Sequence, residues 1–187
     1  PREGGIIKEK WLRFYERRPH NPEIMFQSWD MTFKKTVSGS YVVGSVWARV
    51  GADLYLVDLV RERMDFTETL EAIRSLTAMY PRAEAKLVED KANGPAVIST
   101  LSREISGIIA VNPTSYSWAD QSKQSRLTAA SPTFEAGNVW LPRPEDVSWV
   151  QAYITELTTF PASEYDDQVD VTSQAVLYMT ASRFIWL

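Results

Sequence analysis

Ile24-Met25-Phe26-Gln27-Ser28-Trp29-Asp30 is an apolar run that closes on an acid, and its reading decides the fold. A run of this kind fits a buried strand. Downstream, Ser38-Gly39-Ser40 supplies turn chemistry, Tyr41 to Val50 alternates as a long strand, Gly51-Ala52-Asp53 turns again, and Leu54 to Val60 makes a third strand. Those three form an antiparallel meander. Asp65-Phe66-Thr67-Glu68 has the form of an N-cap with its acidic partner, and Phe66, Leu70, Ile73, Leu76 and Tyr80 keep helical spacing up to Pro81. Ala85 to Asp90 reads as a short strand ending on acids, Gly94-Pro95 opens a helix through Leu101, and Ile108 to Val111 is another strand, which together make a βαβ unit with a parallel pair. A helix from about Lys123 to Ala130 stops at Pro132. The strand Val139 to Leu141, a helix from Val147 to Leu157 and a last helix from about Asp166 to Ser182 complete the chain. The expected class is α/β: a mixed sheet of three antiparallel meander strands plus parallel strands, with helices on both faces.

At 187 residues the chain is the size of one domain, since domains run to roughly 150 residues. Residues 1–22 read as an N-terminal strap and linker from a missing N-terminal domain, because the chain begins at Pro1 and Pro19 and Pro22 break any helix there; residues 23–187 read as the folded domain. With 20 Lys and Arg against 24 Asp and Glu, the net charge is -4, so any nucleic-acid contact must be a local patch. A hydrophobic content of 44% with 12% aromatic residues excludes a disordered chain. The absence of Cys removes disulfides, thiolate zinc sites and cysteine nucleophiles, and a single histidine, His20, removes most histidine metal sites and triads. His20 sits in a Pro-rich connector and reads as a surface residue. No apolar run is long enough to span a bilayer and no signal peptide opens the chain, so a soluble intracellular protein with no membrane partner is expected.

Any chemistry must therefore rest on carboxylates, and these cluster at element ends. Asp30 closes the first strand, Glu89 and Asp90 close the fourth, and Asp166, Asp167 and Asp170 fall in the first turn of the last helix. If strands one and four are neighbours, a helix N-terminus docked beside them brings all three groups together. Solvated strand ends and a macrodipole-stabilised first turn account for such acids without any ligand. Three acids within five residues, however, exceed what a cap needs, and Asp166 and Asp170 share a face on which like charges repel. Hard oxygen ligands without Cys or usable His select Mg2+ or Mn2+, and two such ions about 3.5–4 Å apart suit phosphodiester hydrolysis.

The sequence resembles the C-terminal nuclease domain of the large terminase subunit of tailed bacteriophages, an RNase H-like fold, over nearly its whole length. Five segments carry the resemblance in order: Gly4-Gly5-Ile6-Ile7-Lys8-Glu9-Lys10-Trp11 with Phe14-Tyr15; Gln27-Ser28-Trp29-Asp30-Met31-Thr32-Phe33-Lys34; Val88-Glu89-Asp90-Lys91-Ala92-Asn93-Gly94; Lys123 and Arg126 ahead of Phe134 to Pro142; and Phe160-Pro161 followed by Asp166-Asp167-Gln168-Val169-Asp170. The resemblance implies that Asp30 bridges two ions, with Glu89 or its rival Asp90 completing one site and the pair Asp166-Asp167, Asp167 in preference, completing the other. Asp170 is a ligand, a support for one, or a cap. Tyr165 stands where many members carry a histidine, and Ser40 where many carry an acid.

Lys34, Lys35, Lys91, Lys123 and Arg126 are the expected DNA contacts, meeting phosphates around the acids, with surface solvation as their bland alternative. Trp118 reads as core packing or loop anchoring rather than base stacking. No loop with paired glycines leading into Lys and Ser or Thr occurs, so the ATPase of the family is missing from this chain. The implied function is a metal-dependent endonuclease cleaving double-stranded DNA with little sequence specificity. It would cut concatemeric viral DNA at the start and end of headful packaging, in the host cell cytoplasm during virion assembly. Its implied partners are the terminase ATPase domain, the portal protein and the small terminase subunit. Two alternatives stand beside it: another RNase H-like nuclease of resolvase type, and a non-catalytic module that docks or guides DNA in a packaging motor.

Overall fold

Ile24–Asp30 forms a central strand, as its composition predicts, of a seven-stranded sheet in the computed structural model, which describes residues 4–31 and 41–181. Lys34, Lys35, Ser40 and the expected end of the last helix at Ser182 lie outside the described residues. The strands are β1 (Arg13–Tyr15), β2 (Ile24–Asp30), β3 (Val42–Val50), β4 (Asp53–Glu62), β5 (Ala83–Glu89), β6 (Ile108–Val111) and β7 (Val139–Pro142), in the spatial order β1-β7-β4-β3-β2-β5-β6. The β2–β3 and β3–β4 pairs are antiparallel and the other four pairs are parallel. The mixed RNase H-like sheet read from the sequence is the one observed.

Five helices cover both faces: α1 (Phe66–Met79), α2 (Gly94–Leu101), α3 (Lys123–Glu135), α4 (Val150–Thr159) and α5 (Asp167–Ala181). Leu70, Ile73 and Leu76 of α1 and Val97 and Leu101 of α2 pack with Trp29, Val42 and Val46 on one face. Leu127 and Phe134 of α3, Tyr153 and Leu157 of α4 and Val176 of α5 pack with Phe26, Val43 and Trp47 on the other. No helix among the described residues is long and apolar enough to cross a membrane. The Asp65–Glu68 capping box forms with both bonds in place, an arrangement that stabilises a helix start by about 1 kcal/mol.

Strand alternation aims the acids. Phe26 and Ser28 face α5, where Phe26 packs against Tyr178 at 5.4 Å and the Ser28 hydroxyl donates to the Val171 carbonyl at 2.8 Å. Asp30 follows with the same parity and faces the same helix. The β2–β5 register pairs Ser28 with Leu87 and Trp29 with Val88, which puts Glu89 beside Asp30 on that face. In β4 a register shift opposite Val46/Trp47 inserts an extra residue, so Leu54 and Leu56 before it and Leu59 after it all meet the α5-side core.

Four local readings change. Arg13–Tyr15, expected within a strap, is an edge strand paired with β7, and Ile7 and Leu12 ahead of it are buried in the core. Its partners, Trp140 to Pro142, lie about 127 residues further along the chain, so no local pattern announces the pairing. Pro132, expected to end its helix, lies inside α3, which continues to Glu135. The Ser131 hydroxyl donates to the Thr128 carbonyl at 2.7 Å, taking up the acceptor that the proline's missing N–H leaves open. The fourth helix runs Val150–Thr159, later than the expected 147–157, and β5 ends at Glu89 so that Asp90 lies just past the strand.

Gly44 sits opposite Trp29 in the β2–β3 register, and a Cβ there would overlap the fully buried indole. Overpacking of this kind costs about 1–3 kcal/mol. Gly44→Ala should therefore lower the melting temperature by roughly 3–10 °C in calorimetry, at the few degrees per kcal/mol usual for a domain of this size; an unchanged melting temperature would show that the indole moves aside freely.

Candidate active site

The acidic centre is built where β2 and β5 end under the first turn of α5. That helix is buried along most of its length, including Asp167, Gln168, Asp170, Thr172, Ser173 and Gln174. Its position is fixed by a polar seam: the Gln174 amide donates to the Ser28 hydroxyl at 2.9 Å and to the Trp29 carbonyl at 3.3 Å, one helical turn beyond Asp170. Asp167 is held from the other side, accepting from the Tyr41 backbone N–H at 3.1 Å at the start of β3. On β5, Glu89 is backed by the tight turn into α2, where a Cβ at Gly94 would overlap the Glu89 carbonyl oxygen. The same turn holds Ala92 at a φ of 51°, in the left-handed region that ordinary side chains avoid.

None of these acids caps α5. Glu156 of α4 does, accepting from the Gln168 N–H at 2.7 Å, the Val169 N–H at 3.1 Å and the Gln168 side-chain amide at 2.6 Å. The helix start thus has its anion already, and Asp167 and Asp170 are left for other work. Sequence reasoning missed Glu156, although a charged residue within the apolar stripe Tyr153, Ile154 and Leu157 was the available signal.

Two cations thread between the carboxylates. The Lys123 ammonium lies 2.7 Å from Asp166 Oδ1 and 2.5 Å from Asp170 Oδ2. Arg126, one turn further along α3 and only 3% exposed, spans Glu89 Oε1 at 3.0 Å and Asp170 Oδ1 at 3.1 Å. Lys91 donates to the Ala119 carbonyl at 2.8 Å and approaches Glu89 Oε1 at 3.6 Å. Asp30 differs from its neighbours. It is 6% exposed, and its carboxylate accepts no hydrogen bond from any described residue. Burial raises its pKa well above the usual carboxylate range, and the nearby charges of Asp170, Asp167 and Glu89 push it further than Lys123 pulls it back. Burial likewise raises Asp167 and Asp170 against the pull of their hydrogen-bond donors and of Lys123, and the ammonium of Lys123, disfavoured by burial, is held charged by Asp170 and Asp166.

The structure thus brings Asp30, Glu89, Asp167 and Asp170 together, with Asp166 at the rim. Asp90 points away, accepting from the Asn112 amide at 3.3 Å. Arg126, expected as a phosphate contact on an exposed helical face, is buried among the acids instead, because α3 packs directly against α5. Trp118 is buried against Tyr116, and His20 is exposed in its connector. Tyr165 meets Tyr41 edge-on at 5.1 Å, with the Arg61 guanidinium over Tyr41 at 3.9 Å, so this side chain braces the loop before α5. A cavity of about 750 Å³ opens elsewhere, between Ile7–Trp11 and α4, and no acid of the centre lines it.

A divalent ion is tested by the donors present. All are hard carboxylate oxygens, and Asp30, 6% exposed, accepts no hydrogen bond from any described residue and lies among like charges that a hard cation would offset. Among the described residues no three carboxylates close on one point, because Lys123 and Arg126 lie between them. The residues fit the ion in chemistry, with the cations holding the intervening space.

The raised carboxyls give stability a definite pH dependence. A carboxyl that holds its proton more tightly folded than unfolded stabilises fully below the ordinary value near pH 4, and that stability drains away as pH rises through the raised value. Metal-stripped Asp30→Asn, which cannot ionise, should melt above wild type at about pH 8, with the gap closing toward about pH 4. Melting curves across that range check this, and a wild-type protein that stays the more stable at the alkaline end contradicts it.

The profile of the Terminase RNaseH-like domain family matches residues 27–179. Among solved structures, the large terminase nuclease of thermophilic phage G20c with bound magnesium superposes at a TM-score of 0.67 and 17% identity, covering 94% of this chain and 98% of that one. The same nuclease with bound cobalt gives 0.68 and 17%, with the same coverage of 94% and 98%. The large terminase of a second thermophilic bacteriophage gives 0.67 at 9% identity and covers 93% of this chain, which spans 44% of that protein. No curated protein matches the sequence. A profile match running from the middle of β2 almost to the end of α5, the two elements that frame the acids, makes this chain a member of the terminase RNase H-like domain family.

Proposed function

We propose that this chain is the nuclease domain of a viral packaging terminase, a metal-dependent endonuclease that cleaves double-stranded DNA with little sequence preference. The observation that carries this reading is Asp30: a buried carboxylate with no donor among the described residues, set beside Glu89, Asp167 and Asp170 in a chain of the terminase family. The G20c nuclease, solved with magnesium and with cobalt, supports a divalent ion here.

Asp30, Glu89 and Asp167 would hold two Mg2+ or Mn2+ ions, with Asp170 and Asp166 beside them. When bound, such ions lower the pKa of a water and offset charge on the leaving oxygen of a phosphodiester. The chain's own residues do the rest. Asp30 and Glu89 are fixed by paired parallel strands and Asp167 by the Tyr41 N–H, so the donors are set in place before substrate arrives. Lys91, about half exposed beside Glu89, is placed to meet an incoming phosphate, and Lys123 reaches it from the rim. Phosphate contacts of this sort carry no base information, which fits cutting with little sequence preference. In the full assembly the domain would work with the ATPase domain, portal protein and small terminase subunit on concatemeric DNA in the host cytoplasm.

The reading is tested on plasmid DNA. The protein should degrade it with Mn2+ or Mg2+ and spare it with EDTA. Asp30→Ala should abolish cutting while keeping the far-ultraviolet circular dichroism of wild type, because losing an anion from a repelling cluster does not unfold the domain. Full cutting by rigorously purified Asp30→Ala would overturn the assignment.

A further inference from the structure

We propose that Lys123 is a built-in counter-cation that occupies the acidic centre until a divalent ion arrives, and that its competition with the ion sets how tightly the ion binds. The inference rests on the metal-dependent reading of the same site and adds a determinant of affinity that is not itself a ligand.

Asp30, Glu89, Asp166, Asp167 and Asp170 meet here, and Lys123 and Arg126 neutralise them in different ways. The Arg126 guanidinium is a rigid fork whose two ends are engaged by Glu89 at 3.0 Å and Asp170 at 3.1 Å, in a side chain only 4% exposed. It has nowhere to go. Lys123 is 41% exposed, on a flexible four-carbon stem whose base lies in the first turn of α3, and its compact ammonium grips Asp166 at 2.7 Å and Asp170 at 2.5 Å from the solvent side. A rotation of that stem carries the charge into water without disturbing the backbone. Lys91 is no competitor, since its ammonium is tied to the Ala119 carbonyl at 2.8 Å and stands 3.6 Å from Glu89.

Asp166 and Asp170 stand beside the ligands Asp30, Glu89 and Asp167, and the Lys123 charge already acts on Asp30 and Asp167, so a divalent ion held there and an ammonium gripping Asp166 and Asp170 would repel in a partly dehydrated site. Entry of the ion therefore requires Lys123 to leave. The exchange gives the protein a folded, only partly neutralised centre without metal and a graded rather than extreme affinity with it. The charge distribution agrees: Lys123 is the cation that lowers the proton affinity of Asp30, Asp167 and Asp170 alike, and it is itself held charged by Asp170 and Asp166.

The test is Mn2+ titration by calorimetry on the intact protein, for wild type, Lys123→Met and Lys123→Gln, alongside melting curves in EDTA and in saturating Mn2+. Removing the competitor should tighten Mn2+ binding at least about fivefold in both variants, the effect of one modest ion pair relieved. Both should melt below wild type in EDTA, and the deficit should close in Mn2+. Unchanged or weaker Mn2+ binding in the variants, with wild type binding normally, overturns the inference and leaves the metal reading standing. A melting deficit equal in EDTA and Mn2+ makes Lys123 a purely structural ion-pair partner and overturns it too. Absence of Mn2+ binding in all three proteins removes the metal reading, and the inference falls with it.

Discussion

Burying the acidic first turn of α5 against the open end of β2 is the constraint to which the rest of the molecule answers. Carboxylates taken out of water repel one another and hold protons they would otherwise release, so Asp167, Asp170 and Asp30 cannot be left to themselves. The protein secures the helix by means that do not consume these acids. Ser28 and Gln174 bond across the β2–α5 interface, Phe26 packs on Tyr178, and Glu156 takes the free N–H groups of the helix start. The helix can therefore be held firmly while its acids stay available.

Charge balance comes from a separate element. Lys123 and Arg126 occupy one face of α3 and reach across to both α5 and β5, so three elements are cross-linked through Asp170, Asp166 and Glu89. A buried ion-pair network of this kind contributes little net stability, because dehydration offsets much of the attraction. Its effect is positional: it sets where Glu89 and Asp170 stand. Among the described residues, neither cation bonds Asp30, which feels Lys123 only through its charge.

The fold places this centre at one end of the sheet, while the leading segment, from Ile7 through β1, closes over the edge formed by β7. The chain spans 44% of the large terminase of the second thermophilic bacteriophage. Burial of Ile7 and Leu12, together with the β1–β7 pairing, packs the leading segment against the sheet.

The sequence by itself determined the meander, the βαβ unit and the cluster of acids at element ends, since alternation, helical spacing and turn residues are local signals that do not depend on distant partners. Asp30, Glu89 and Asp167 were legible as members of one cluster for the same reason: each terminates an apolar run or opens a helix. The tertiary structure decided what those acids touch. Strand parity and the β2–β5 register put Glu89 on the α5 face, while Asp90 accepts from Asn112. The packing of α3 on α5 converted Arg126 from an apparent surface cation into a buried counter-ion, and α4 supplied Glu156, twelve residues upstream of Gln168, as the cap of the next helix. The short strand Arg13–Tyr15 and the helix running through Pro132 were illegible because their stabilising partners, β7 and the Ser131 hydroxyl, act through pairings that periodicity does not encode. Local pattern fixes which residues end an element; only three-dimensional contact fixes the charges that surround them, because electrostatic partners are chosen by distance in space and not along the chain.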